Sequence, residues 1–221
     1  MLLAVDTSSA QVGLALYDGS QVVAEMLWHS RAHHTQELAP SFSSLLASAG
    51  AKVADLTVLA AAIGPGSFTS LRVGLAFVKG LALARHLPLI GIPTLDVTAA
   101  GVPLQRLPLV TVLQAGRGRL AAAQYAVSRG QWRPKEPAQV TTAESLADSI
   151  KSATLLCGEL TRAERGLLEG KPEVRLASPA LCVRRPAILA ELAWARWRSG
   201  QVDATAALAP LYLHTAEPIP A

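Results

Sequence analysis

A chain of 221 residues, 51% hydrophobic and 16% charged, can bury a sizeable core as one large domain or two small lobes. Aromatic residues make up only 5%, so the core must be built from Leu, Val and Ala, and few side chains remain to stack bases, which argues against a stand-alone nucleic-acid reader. The formal charge of +4 is uneven: residues 1–100 carry 5 basic and 6 acidic side chains, a net of −1, and residues 101–221 carry 15 and 10, a net of +5.

Residues 2–6 read as a buried strand ending in Asp6-Thr7-Ser8-Ser9, residues 11–17 as a second strand, and Asp18-Gly19-Ser20 as the turn into a third run ending near Trp28. Helical spacing follows from Glu37 to Ala49, with Leu38, Phe42, Leu45 and Leu46 on one stripe and Gly50 as the stop. A short strand over Thr57–Ile63 runs into a glycine-rich turn and a helix from about Leu71 to His86, and Pro88 and Pro93 bracket another strand. Three strands in a meander, then helix, strand, helix, strand, is the order of one lobe of the ribonuclease H-like, actin-like α/β architecture (the ASKHA fold), in which helices cover both faces of a sheet.

After Pro103 and Pro108 the order begins again. Strands are expected at Leu109–Leu113, Leu120–Val127 and Thr154–Cys157, with helices at Thr142–Ile150, capped by Thr142, and at Pro186–Trp197, opened by proline. The second half thus reads as an eroded copy of the first, which places an N-terminal actin-like lobe at 1–103 and a C-terminal lobe at 104–221. Its basic side chains, Arg117, Arg119, Arg129, Arg133, Arg162, Arg165, Arg184 and Arg185, are spread without a tight run. They form either a solvated basic surface or a footprint for nucleic-acid phosphates.

Cys157 and Cys182 lack C-x-x-C spacing and are expected as reduced structural thiols. The chain starts on a strand-like Leu2-Leu3-Ala4-Val5 with no signal-peptide pattern. No uncharged apolar run approaches the roughly 20 residues of a membrane span. A soluble cytoplasmic protein without membrane contact is expected.

The turn Gly64-Pro65-Gly66-Ser67 joins a strand to a helix, and its glycines permit positive φ and close backbone approach. Together with Asp6 and Thr7 at the first strand's end, Gly64, Gly66 and Ser67 are candidates for nucleotide or phosphate binding, since helix-start amides favour anions. The competing reading is a structural joint, with Asp6 as a turn and capping residue. No lysine follows Gly66 in the manner of a P-loop, which excludes a nucleotide triphosphatase of that class.

Three segments in this order, Asp6-Thr7-Ser8, His29-Ser30-Arg31-x-His33 with Leu38 and Pro40, and Gly64-Pro65-Gly66-Ser67-Phe68-Thr69-x-Leu71-Arg72-Val73-Gly74, resemble the TsaB (YeaZ) family. Weaker agreement continues at Gly91-Ile92-Pro93-Thr94-Leu95 and Pro210-Leu211-Tyr212-Leu213, so the resemblance covers nearly the whole chain. The chain departs from the family at Ser70, usually glycine, at Gln114-Ala115-Gly116-Arg117, usually an Asp-Ala-Arg-like segment, and at His214, often arginine. The resemblance implies a non-catalytic partner of a TsaD-like catalytic subunit. With a TsaE-like ATPase, the pair supports transfer of a threonylcarbamoyl group from an adenylate to N6 of adenosine 37 in tRNAs that read codons starting with A. Contact with tRNA would be indirect or weak, no resident cofactor is expected, and a nucleotide shared with the partner is the one candidate.

The residues themselves assemble no reaction centre. His29, His33 and His34 have only Glu37 as a nearby carboxylate, and read as hydrogen-bonding or interface histidines against a metal site. Ser67 and Thr69 have no adjacent base to activate them. The rivals to the partner-subunit reading are an actin-like ATPase or phosphotransferase working through Asp6 and the glycine turn, and a metallopeptidase-like enzyme. On the second helix Arg72, Ala76, Lys79 and Leu83 share one side while Gly74, Phe77, Val78 and Leu81 share the other, which leaves more apolar circumference than one sheet covers. With the family resemblance added to this spacing, Leu38, Phe42 and Leu45 of the first helix, with Arg72, Ala76, Lys79 and Leu83 of the second, are the expected interface with the TsaD-like subunit or, without it, with a second copy in an isologous dimer. An internally buried helix is the alternative.

Overall fold

The computed structural model describes residues 1–30 and 33–213; Arg31 and His214, named above, lie outside the described residues. The first half holds β1 (Leu2–Asp6), β2 (Gln11–Tyr17), β3 (Val22–His29), α1 (His34–Ser48), β4 (Val58–Ala62), α2 (Phe68–Arg85), β5 (Leu89–Ile92) and α3 (Thr94–Ala100). The second half holds β6 (Leu109–Gln114), β7 (Leu120–Ser128), β8 (Gln131–Pro134), β9 (Gln139–Thr141), α4 (Ala143–Ser149), β10 (Thr154–Gly158), α5 (Arg162–Glu169), β11 (Val174–Leu176) and α6 (Pro186–Arg198).

The first sheet runs β3-β2-β1-β4-β5, with β1 antiparallel to β2 and parallel to β4. The second runs β11-β10-β6-β7-β8, with β9 pairing β7. Counted from its own first strand β6, the second sheet repeats the order of the first, so the duplicated, two-lobed actin-like architecture expected from element order is present.

β1 is buried along its whole length because both faces of its sheet are covered. Alternation sorts its side chains: Leu3 and Val5 join Leu14 and Leu59 beneath Leu38, Phe42 and Leu45 of α1 and Leu75 and Val78 of α2. Leu2 and Ala4 face the other way, with Ala15, Val58, Ala60 and Ile90, and are covered by Leu189, Ala190 and Ala193 of α6. Each large aliphatic side chain buried in this way contributes roughly 1.5–3 kcal/mol. Trp194 of α6 packs edge-on against Tyr17, ring centroids 5.6 Å apart.

The second sheet is covered reciprocally. Leu95 and Ala99 of α3 pack on Leu109, Leu113, Ala121 and Tyr125, while α4 and α5 supply Leu146, Ala147 and Leu168 to the opposite face. The Tyr125 hydroxyl donates to Asp96 Oδ1 at 2.6 Å, and burial pushes the Asp96 carboxyl above its ordinary range. The two sheets divide between β5 and β6, but their helical cover does not: α3 of the first half lies on the second sheet, and α6 of the second half lies on the first.

Several short elements carried no clear periodicity. The seven-residue α3 follows directly on Pro93, β8 is an edge strand of sequence QWRP, and β11 has three residues. α5 does carry a capping box, Thr161 with Glu164, a signal present in the sequence that the periodicity reading passes over. Among the described residues no helix is long and apolar enough to cross a membrane.

Candidate functional site

The two sheets present their strand ends to a cleft of ≈ 780 Å³ lined by Ser9, Gly66, Ser67, Gln114, Glu159, Arg165 and Cys182 among others. Beneath its floor, at the end of β1, lies Asp6, with a side chain only 2% exposed. Its Oδ1 accepts the Ser8 N–H at 2.8 Å, and its Oδ2 accepts Arg184 Nε at 2.5 Å. Arg184 comes from the segment leading into α6, and its Nη1 donates to Glu159 Oε1 at 2.7 Å, just past the end of β10. Nη2 donates to Ser9 Oγ at 3.2 Å, while the Ser9 hydroxyl donates to Glu159 Oε1 at 2.6 Å.

One guanidinium thus joins a carboxylate from each lobe. Burial works against its charge, but Asp6 and then Glu159 override that, and the guanidinium is held charged beyond its usual range. Arg184 is 3% exposed, which corrects its assignment to a spread of basic surface groups. Its partners stand 178 and 25 residues away in sequence, so nothing local marked it. Ser9 and Thr94 were missed for the same reason, and in the sequence Gly158-Glu159 reads only as a meagre remnant of a second phosphate loop.

The polar groups of the residues expected to bind a nucleotide or phosphate are taken up by neighbouring groups of the protein itself. Thr7 Oγ1 donates to the Ser70 carbonyl at 2.7 Å. The Gly64 N–H goes to Thr94 Oγ1 at 3.0 Å, and that hydroxyl also pairs with Ser8 Oγ at 2.8 Å. The Ser67 N–H goes to the Ser8 carbonyl at 2.7 Å, and a β-carbon on Gly66 would sit 2.3 Å from the same oxygen. Two amides of the expected cradle are therefore spent within the protein, that of Ser67 on β1's exit loop and that of Gly64 on Thr94 at the start of α3, and Asp6 does not line the cleft.

The helix begins earlier than its periodicity suggests because Ser67 caps it, accepting the Ser70 N–H at 3.5 Å and the Ser70 hydroxyl at 2.9 Å. Ser70, at a position where the resemblance leads to glycine, is accommodated by this pairing. Gln114, the other described departure, donates to Glu164 Oε2 at 2.6 Å and to the Glu159 carbonyl at 3.4 Å. It therefore braces the cleft wall.

The histidines part company. His29 and His33 are exposed, whereas His34 is buried with Nε2 3.0 Å from the Ser9 carbonyl. Glu37 accepts the Trp28 indole N–H at 2.9 Å, a bond that holds its carboxyl below the ordinary range. Among the described residues no group of three or more His, Cys, Asp or Glu side chains could hold a metal ion.

The interface expectation needs correction on α1. Leu38, Phe42 and Leu45 are core residues, 2%, 7% and 1% exposed, because the stripe they form is the one that covers the sheet. On α2, Arg72 and Lys79 hold the chain's own C-terminal segment: Arg72 Nε donates to Tyr212 Oη at 3.0 Å and Lys79 Nζ to the Ala206 carbonyl at 3.2 Å. The Arg72 guanidinium also lies 3.7 Å over the Phe68 ring. Gly74 is buried under Thr7, whereas Ala76, Gly80 and Ala84 are exposed and Leu83 is 67% exposed. Between α1 and α2 runs an apolar groove of ≈ 480 Å³, lined by Leu38, Ala39, Phe68, Arg72, Ala76 and Phe77 among others. Phe68, 53% exposed, was not among the expected interface residues.

Comparison with known proteins adds the family. Residues 22–158, more than half of the chain, match the model of the family described as TsaD: tRNA N6-adenosine threonylcarbamoyltransferase. The tRNA threonylcarbamoyladenosine biosynthesis protein TsaB of Escherichia coli is 32% identical over 153 residues, 68% of this chain and 66% of that protein. Its Bacillus subtilis counterpart is 30% identical over 129 residues, 58% of this chain and 56% of that protein. The chain thus spans about two thirds or less of the length of these curated relatives. The structure of YeaZ from Pseudomonas aeruginosa superposes with a TM-score of 0.78 at 24% identity, over 96% of this chain and 99% of that one, a likeness of fold. With the strand order duplicated across two lobes and these matches along its length, the chain belongs to the TsaB (YeaZ) family.

Proposed function

We propose that this protein acts in tRNA N6-threonylcarbamoyladenosine synthesis as a subunit without transferase chemistry of its own, docking a TsaD-like catalytic subunit in the cytoplasm. The observation that carries this reading is the buried Asp6–Arg184–Glu159 cluster. In an actin-like phosphotransferase a carboxylate at the end of the first strand must face the cleft to orient a metal-bound phosphate; here both oxygens of Asp6 accept protein donors and a guanidinium fills that position. A chain that has closed this site against itself is suited to support chemistry in a related subunit.

The α1–α2 groove, with Phe68, Ala76 and Leu83 at or beside it, supports docking on that side of lobe one. A TsaD-like subunit is the proposed occupant and a second copy of this chain takes the same face when that subunit is absent. A TsaE-like ATPase completes the assembly, and tRNA is reached through the partner. The reading is tested by reconstituting tRNA modification from purified components. Modification that requires this chain, while the chain alone turns over no ATP, is the expected result. ATP turnover by the isolated chain, abolished by Asp6→Asn, would establish the phosphotransferase reading instead.

A further inference from the structure

Cys157 lies on β10, fully buried, and Cys182 lies between β11 and α6, partly exposed and lining the inter-lobe cleft. Both are free thiols, yet their sulfurs are 3.9 Å apart, and the Cys157 thiol has both Cys182 Sγ and the Leu181 carbonyl, at 3.5 Å, within reach. Arg165 Nη2, held by the Ala177 carbonyl at 2.7 Å, stands 4.0 Å from Cys182 Sγ. The arrangement is asymmetric: Cys182 is partly exposed at the cleft with a thiol and a cation beside its sulfur, and Cys157 is buried and in contact with it. That asymmetry separates an attacking thiol from a resolving one.

We propose that Cys182 and Cys157 form an oxidisable dithiol whose substrate is a hydroperoxide, with hydrogen peroxide as the simplest member. In the first step the Cys182 thiolate attacks one peroxide oxygen, the O–O bond breaks, and the departing oxygen leaves as hydroxide and takes up a proton to become water; Cys182 becomes a sulfenic acid. In the second step the Cys157 sulfur attacks the Cys182 sulfur, the S–O bond breaks, and the proton of Cys157 leaves with that oxygen as a second water. In sum two thiols and one hydrogen peroxide give one disulfide and two waters, the sulfurs being oxidised and the peroxide reduced.

The electrostatics agree with this division of roles. The hydrogen bond from Cys157, aided by the Gly158 N–H and Arg165 against the opposing effect of burial, brings the Cys182 thiol down to about 6, while the same contact and burial push the Cys157 thiol up. Glu159 and Arg184 stand two residues beyond Cys157 and Cys182 respectively. A bond between the two sulfurs would therefore tie together the two backbone segments that supply Glu159 and Arg184 to the cross-lobe cluster. It would also remove the negative charge that Arg165 faces.

The test uses the full chain, fully reduced and then treated with a stoichiometric amount of hydrogen peroxide, followed by intact mass and a non-reducing peptide map. The expected outcome is loss of both thiols, a mass lower by two hydrogens, and one linked peptide pair containing Cys157 and Cys182, all reversed by dithiothreitol. In Cys157→Ser, oxidation should stop at one added oxygen on Cys182, trapped by dimedone. Two or three oxygens added to Cys182 in the wild-type chain without a cross-link, a dimer linked between chains, or two intact thiols would each overturn the proposal. The wild-type measurement decides the matter by itself if Cys157→Ser fails to fold.

Discussion

Thr7 Oγ1 occupies the space that a side chain on Gly74 would need: a β-carbon built on Gly74 would lie 2.2 Å from that oxygen. The helix can approach β1's exit loop this closely only because residue 74 is glycine, and the contact sets where Ser70 and the Ser67 cap sit. Gly74→Ala should therefore destabilise the chain by about 1–3 kcal/mol through overpacking. In a Thr7→Ala background the same change should cost far less, and urea unfolding of the four proteins of this cycle would show the coupling. Additive effects would mean that the two residues do not meet.

The buried ion cluster makes a stronger demand. Arg184→Met leaves the carboxylates of Asp6 and Glu159 without their cation, and removing one partner of a buried pair costs about 3–5 kcal/mol. Glu159→Gln should cost less, since its side chain is 21% exposed and water can replace part of what it loses. Denaturant titration of both variants checks the order. Arg184→Met within about 1 kcal/mol of wild type would place the pair in the class of surface ion pairs.

Acid sensitivity should be traceable at the β2–β3 turn. Asp18 Oδ1 accepts the N–H groups of Ser20 and Gln21, each at 2.8 Å, and these bonds lower its carboxyl from 3.8 to about 2. The folded chain holds this proton less tightly than the unfolded chain. The stabilisation is thus fully present above the unfolded value and is lost as pH falls through about 2. Carboxyl NMR should place the Asp18 midpoint near that value, and Asp18→Ala should flatten the corresponding part of the acid-unfolding curve. A midpoint at the ordinary carboxylate value would exclude these hydrogen bonds in solution.

Docking on the α2 face predicts a clean separation between folding and binding. Ala76 is exposed at the groove, so Ala76→Glu places a charge there without entering the core. It should abolish co-purification with the TsaD-like subunit while leaving circular dichroism and the unfolding midpoint unchanged. Leu83→Glu, farther along the same exposed side, provides an independent check. Undiminished co-purification of both would move the interface elsewhere.

What the sequence reveals and what it hides follow from the range of the interactions. The β1 run, the Asp18 turn, the Thr142 cap and the proline opening α6 are local signals, and each element stands where its signal places it. The stripe of Leu38, Phe42 and Leu45 was equally legible as an apolar face, but a stripe does not say whether it turns inward, and here it does. Arg184 is one of 20 basic residues, and only the meeting of three distant segments distinguishes it from the others. The same is true of Cys157 and Cys182, which share no short motif and become neighbours only through the course of the chain between β10 and α6.

The reciprocal placement of α3 and α6 binds the fate of each half to that of the other. A fragment ending near residue 103 would leave Leu2, Ala4, Ala15, Val58 and Ala60 bare to water, and the complementary fragment would lack Leu95 and Ala99 over Leu109 and Tyr125. Neither piece could serve as an autonomous module, however similar their strand orders. Calorimetry of the intact chain should accordingly record one melting event, because unravelling either lobe strips the roof from its neighbour.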